Sequence, residues 1–137
     1  MLTFYYSLAP NPMKVALFLE EAGLPYEAVP VDTRKGEQHT AAFKAVNPNA
    51  KVPAIVDGDF VLTQNAAIMG YIADTYPQAH LAGDGSPQQR AQAAKWLAFV
   101  NSDLHPAFHP LFGPARFIGD QAQFDAVKDA ARRRLRG

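Results

Sequence analysis

Cysteine is absent from the 137 residues. That excludes disulfides, and it excludes a thiol nucleophile or thiolate metal ligand of the chain's own. Any sulfur chemistry has to use a ligand's sulfur. Long apolar runs are absent too: none approaches the roughly 20 residues a helix needs to cross a bilayer. Net charge is lacking, since 13 Lys and Arg meet 13 Asp and Glu. There is no low-complexity tract, and 48% hydrophobic with 19% charged residues is the composition of a globular chain, not a disordered one. No basic region precedes the strand-like run from Leu2 to Tyr6. A secretory leader is therefore not expected, and a cytoplasmic address is.

The charge is unevenly spread. Residues 1–80 hold five Lys and Arg against eight Asp and Glu, and residues 81–137 hold eight against five. The basic excess sits at the end, in Arg132, Arg133, Arg134 and Arg136. A solvated helix face accounts for it, and no nucleic-acid partner is expected.

The pattern along the chain predicts alternating strands and helices. Leu2 to Tyr6 is aromatic and β-favouring. Residues 13–21 read as a helix with Val15, Phe18, Leu19 and Ala22 on one face. Asn11 is its expected N-cap, Pro12 its first residue, and Gly23 its stop. Residues 26–31 read as a second strand, with Pro30 marking an edge. A short helix is expected over 40–46. The stretch 47–76, NPNAKVPAIVDGDFVLTQNAAIMGYIADTY, then organises the rest. Pro53 opens a strand, Asp57-Gly58 turns it, and Phe60 to Leu62 return it. Asn65 is the expected cap of a helix presenting Ile68, Tyr71 and Ile72. The order βαβ-α-ββα predicts a mixed four-stranded sheet between helices.

Residues 78–87 read as a linker, dividing a domain over 1–77 from a helical region over 88–137. Ser86 should cap the next helix, with Ala93, Leu97, Val100 and Leu104 on its buried face. Pro106, Pro110 and Pro114 should kink or interrupt the chain beyond it. Residues 121–135 read as a further helix with Phe124, Val127, Ala131 and Leu135 on one face. Two such helices are too little for a separate core, so the helical region is expected to be truncated.

In a layered α/β fold, ligands sit where strands end and helices begin. Three such features converge: Asn11 at the first helix, the backbone of Val52 ahead of Pro53, and Gln64 with Asn65 at the third helix. Val52 can hold an extended peptide in β-like fashion. The helix end at Asn65 suits a carboxylate.

The stretch 47–76 resembles the second half of the thioredoxin-like domain of the glutathione transferases. APNPMKVALFLEE resembles the first-helix start of bacterial and fungal Ure2p-like (nu-type) members. FVNSDLHPAFHPLF resembles the first long helix of bacterial beta-type members. The fold implied is α/β: a thioredoxin-like N-terminal domain followed by an incomplete all-α C-terminal domain. The resemblance implies a cis Val52-Pro53 bond facing the ligand, glutathione as co-substrate, and a homodimer in the full-length form. It also implies conjugation of the glutathione thiolate to a hydrophobic electrophile, as in detoxification, or reduction of a peroxide or disulfide. Val52, Pro53, Gln64 and Asn65 would hold the tripeptide, Asn65 replacing the family's usual Ser. Lys51 and His39 would meet its glycine carboxylate, and Lys51 read alone is equally an exposed loop lysine. The family's usual Ser and Cys are both missing at residues 9–11, so Asn11 is the expected thiolate stabiliser. Ser7, Tyr5 and Tyr6 are alternatives, the tyrosines being better explained by packing.

His105 matches a histidine that lines the beta-type site, although Ala98 stands where that class carries Asn. His109, Phe108 and Phe112 would line the apolar pocket. His105 and His109 are spaced like a metal pair, but no third ligand accompanies them, so no metal is expected. A second reading, motivated by the missing Ser and Cys, is a non-catalytic binding or regulatory protein of the same family. The electrophile is not named by the sequence.

Overall fold

Four short strands form one sheet in the computed structural model, which describes residues 1–136. They run β1 (Leu2–Tyr6), β2 (Tyr26–Pro30), β3 (Ala54–Asp57) and β4 (Phe60–Thr63), in the spatial order β2-β1-β3-β4. β1 pairs parallel with β2, Leu2 opposite Tyr26. It pairs antiparallel with β3, Tyr5 opposite Ala54. β3 and β4 make the hairpin, Asp57 opposite Phe60. β2 therefore lies at an edge, where Pro30 removes no interior ladder bond. The expected strand over 26–31 ends one residue early. The Val31 N–H nevertheless still donates to the Tyr6 carbonyl at 2.7 Å. In the hairpin, Gly58 takes φ +60° at the first central position, where a II′-type connection demands glycine.

The helices of the first unit are α1 (Pro10–Ala22), α2 (Ala41–Val46) and α3 (Asn65–Thr75). Side chains alternate along β1. Leu2 and Phe4 face the core with Val15 and Leu19 of α1, Ile55 of β3, and Ile68 and Ile72 of α3. Tyr5, on the opposite face, meets Phe43 of α2 with ring centroids 5.9 Å apart. One β-layer thus lies between α1 and α3 on one side and α2 on the other. This is the thioredoxin-like arrangement. Thr40 caps α2 by accepting from the Phe43 N–H at 3.3 Å. α1 ends as its glycine requires. Gly23 sits at φ +63° and donates to the Glu20 carbonyl, and Leu24 donates to that of Leu19, a Schellman motif.

Two caps differ from expectation. α1 begins at Pro10, with Ala9 as N-cap and no capping side chain. Asn11 is thus inside the first turn, because Pro10 carries the fixed φ that starts a helix. α3 begins at Asn65, with Gln64 as N-cap and again no capping side chain.

The chain divides into two compact units, Met1–Ala93 and the part from Ala94 onward. α4 (Pro87–Phe99) carries the chain from one into the other, and Ser86 accepts from the Gln89 N–H at its start. A π-type turn over Val100–Leu104 comes next, then α5 (His105–Phe112). Pro106 cannot donate to the preceding turn, and a wider turn there is the usual accommodation. α6 (Phe124–Arg136) packs on α5. Its face at Phe124, Val127, Ala131 and Leu135 is only partly covered: Ala131 is buried and the other three are half-buried. Leu104, expected in the buried face of α4, is exposed, as are Trp96, Phe99, Phe112 and Phe117. No helix among the described residues is long and apolar enough to cross a membrane.

Candidate functional site

The strand register brings three connections to one end of the sheet. β1 runs to Tyr6 and releases Ser7 into the turn before α1. Ala54 pairs with Tyr5, so Val52 and Pro53 lie just beyond the same end. Thr63 pairs with Ala54, so Gln64 and Asn65 leave β4 beside them. Local pattern alone would not make these segments neighbours; the antiparallel pairing of β3 with both β1 and β4 does.

The Val52-Pro53 peptide bond is cis, as the resemblance implies, and Pro53 is buried. Val52 is half-buried, and no hydrogen bond to its backbone is made among the described residues. Lys51 is exposed, its carbonyl accepting from Nδ2 of Asn47 at 2.6 Å. The N–H groups of Asn65, Ala66 and Ala67 open α3 and have no intrahelical acceptor. With the helix dipole they make an anion-accepting end.

Two features there cost stability. Gln64 sits at φ +75°, ψ 122°, a region that disfavours every L side chain. Asn65 is 7% exposed, and its Oδ1 is buried without a hydrogen-bond partner among the described residues, a cost of about 1–3 kcal/mol. Backbone strain and a buried polar atom without a partner among the described residues thus fall on adjacent residues at one helix N-terminus.

Asn11, no longer a cap, accepts from Nζ of Lys14 at 3.1 Å through its Oδ1. Ser7 is half-buried and lines a cleft of about 690 Å³ with Tyr6, Ala9, Pro10, Val31 and Arg34. Asp32 also borders this cleft. Backbone N–H groups of Lys35 and Arg34 and the Lys35 ammonium hold its carboxyl below the usual range. Tyr5 packs on Phe43, and Tyr6 stacks on Phe4 at 5.5 Å. His39 is exposed at the end of a 3-10 turn before α2, its Nε2 3.3 Å from the Gln38 amide.

His105 and His109 belong to the second unit, on α5, their rings perpendicular with centroids 5.0 Å apart. Phe108 and Phe112 stack on the same helix. Among the described residues no group of three or more His, Cys, Asp or Glu is placed to hold a metal.

Sequence reasoning missed Asn47, read only as a helix end. It is 3% exposed, and it ties the loop before Pro53 together. Its signal is the buried polar side chain itself, which sequence does not display. Arg34, which borders the cleft, is a lone loop arginine without a sequence pattern.

Residues 2–74 match the model of the glutathione S-transferase N-terminal domain. A glutathione S-transferase of Xanthomonas campestris, GST-4.5, is 42% identical over 113 residues, covering 82% of this chain and 54% of its own length. A glutathione S-transferase from Xylella fastidiosa superposes with a TM-score of 0.90 at 34% identity, covering 99% of this chain and 66% of that one. A glutathione transferase homolog from Sulfitobacter, solved with bound glutathione, gives 0.84 at 29% identity, covering 98% and 65%. The chain spans about half the length of the curated relatives it matches. The matched domain, the cis Val52-Pro53 bond and the sheet that sets it beside α3 agree: the chain belongs to the glutathione S-transferase family.

Proposed function

We propose that the protein binds glutathione at the sheet end formed by Val52, Gln64 and Asn65 and transfers its thiolate to a hydrophobic electrophile. The observation that carries this reading is the α3 N-terminus. There the strained backbone of Gln64 shapes the junction, and the Oδ1 of Asn65, buried with no partner among the described residues, is an acceptor that the γ-glutamyl ammonium would meet. The γ-glutamyl carboxylate would take the open N–H groups of α3, and the peptide of the middle residue would pair with Val52. Lys51 and His39 would face the glycine carboxylate, both being exposed side chains. The glutathione-bound Sulfitobacter structure supports the choice of ligand.

The thiolate is the reacting species. A helix N-terminus and a hydrogen-bond donor both lower a thiol's pKa, and the start of α1 supplies the first. Asn11 is our choice for the second. With Oδ1 accepting from Lys14, its amide NH₂ is the end that donates, and the Lys14 ammonium adds positive charge. Ser7 is the alternative donor. The thiolate sulfur then forms a bond to an electrophilic carbon, and the leaving group departs with the electron pair of the bond it breaks. The same thiolate would serve reduction of a peroxide or disulfide. His105 and the phenylalanines of α5 are proposed for the second-substrate side. The full-length protein is proposed to pair as a homodimer, a reading supported by exposed Phe60, Val61, Trp96 and Phe99.

Retention on immobilised glutathione together with conjugation of chlorodinitrobenzene tests the proposal. Retention without conjugation or reductase activity would favour a binding protein, the reading that the lack of Ser and Cys at 9–11 motivates. No retention would sink both.

A further inference from the structure

We propose that Asn47 is a positioning residue that aims the Val52 N–H at the bound peptide without touching it, an inference that rests on the glutathione reading above. Asn47 follows α2 and is buried. Its polar groups are engaged by the end of α2 and by the loop that follows. Its N–H donates to the Phe43 carbonyl at 2.8 Å, and its carbonyl accepts from the Ala50 N–H at 2.9 Å. Its Oδ1 accepts from the Asn49 N–H at 3.0 Å, and its Nδ2 donates to the Lys51 carbonyl at 2.6 Å.

The last bond matters for the site. The Lys51–Val52 peptide is trans, the cis bond being the next one along. In a planar trans peptide the carbonyl and the N–H point in opposite directions. Holding the Lys51 oxygen towards Asn47 therefore turns the Val52 N–H away from it. That N–H meets no acceptor among the described residues, and a donor held in place yet unmet is one waiting for an external carbonyl. The loop has few other means of staying put. Pro48 contributes no N–H, and Ala50 is held at φ +53°, so without the Asn47 amide the Lys51–Val52 plane is free to rotate about its flanking torsions.

The experiment compares the wild-type chain with Asn47→Asp by calorimetry, using reduced glutathione and γ-glutamyl methylamide. The variant keeps the acceptor for the Asn49 N–H and removes the donor to Lys51. The methylamide reaches the α3 end and keeps the first peptide N–H, but it lacks the middle residue's carbonyl, the acceptor that the Val52 N–H would meet. The expected result is a roughly tenfold rise in Kd for glutathione, the worth of one well-placed hydrogen bond, with the fragment's Kd unchanged within about twofold. Equal weakening of both ligands would show that Asn47 only maintains the fold, and no weakening of either would show that it does not act; each overturns the proposal. Should Asn47→Asp not fold, amide exchange on the wild-type protein decides. The Val52 N–H should exchange freely in the apo chain and become protected with glutathione. Protection before ligand is added, or none after, contradicts the aim assigned here. A wild-type chain that gives no heat with glutathione fails the parent reading, whereas one that binds while Asn47→Asp binds equally fails only this inference.

Discussion

Replacing Gln64 by glycine should make the protein more stable and a poorer binder of glutathione. Gln64 holds φ +75° and ψ 122°. A side-chain-bearing residue in such a region costs about 1–3 kcal/mol. Glycine removes that cost and returns about 0.5–1 kcal/mol through the greater freedom of its unfolded chain. Gln64 is exposed and its side chain makes no capping bond, so little packing is lost. The net expectation is a gain of about 1 kcal/mol, or a Tm increase of roughly 4 °C or somewhat more for a unit of this size. Gln64→Ala separates backbone from side chain, because it keeps the Cβ and hence the strain. Its Tm should stay near that of wild type, while its glutathione affinity falls as far as that of the glycine variant. Thermal melts by circular dichroism and calorimetric titrations on the three proteins read both quantities. A glycine variant that melts at or below the wild-type temperature would refute the strain argument. An alanine variant that binds as tightly as wild type would refute a role for the side chain.

Further outcomes are expected on the same grounds. Ala50→Gly should stabilise by about 0.5–1 kcal/mol in chemical denaturation, since Ala50 sits at φ +53°, where its Cβ crowds the backbone. Asn65→Ser should gain about 1 kcal/mol in the apo protein, because a hydroxyl that can turn to donate or accept replaces a buried amide oxygen with no partner among the described residues, while the same hydroxyl keeps glutathione bound; a loss of stability in urea titration would contradict this. Ile72→Ala, at a position with no exposed surface, should cost about 2–5 kcal/mol by the same titration. Tyr71 donates to Asp57 at 2.8 Å, a bond that raises its pKa, with desolvation and the Asp57 charge adding to the effect. A raised phenol pKa means stability that is full below about pH 10, the unfolded value, and lost as pH climbs through the folded one. Tyr71→Phe should remove that alkaline loss in melts recorded as a function of pH.

Much of the fold was legible because its elements carry strong local signals. Val15 and Leu19 recur at helical spacing, Gly23 and Gly58 stand where positive φ is required, and Pro30 marks an edge. These depend on a few neighbouring residues and survive without knowledge of the rest. The helix starts lie a residue or two before the positions that local pattern sets. Pro10 and Pro12 both suit a first turn, and only the full backbone decides between them. The positive φ of Gln64 carries no signal at all, since glutamine is not a residue that turns favour. It is imposed by the junction of β4 with α3, which is tertiary. Asn47 was hidden for a related reason: the four bonds that define it close a loop in space, and asparagine before proline reads identically as a plain helix end. In the second unit the alternation of α6 was visible, but Phe124 and Leu135 are only half-covered, and no pattern within the chain says what would cover them.

The central claim is that the cis-proline loop and the start of α3 hold one peptide between them. A ¹H–¹⁵N titration of the labelled chain with reduced glutathione tests it most directly. The account predicts that the Val52, Asn65 and Ala66 amides shift together along one saturable curve. A folded sample in which none of the three moves at millimolar glutathione would contradict it.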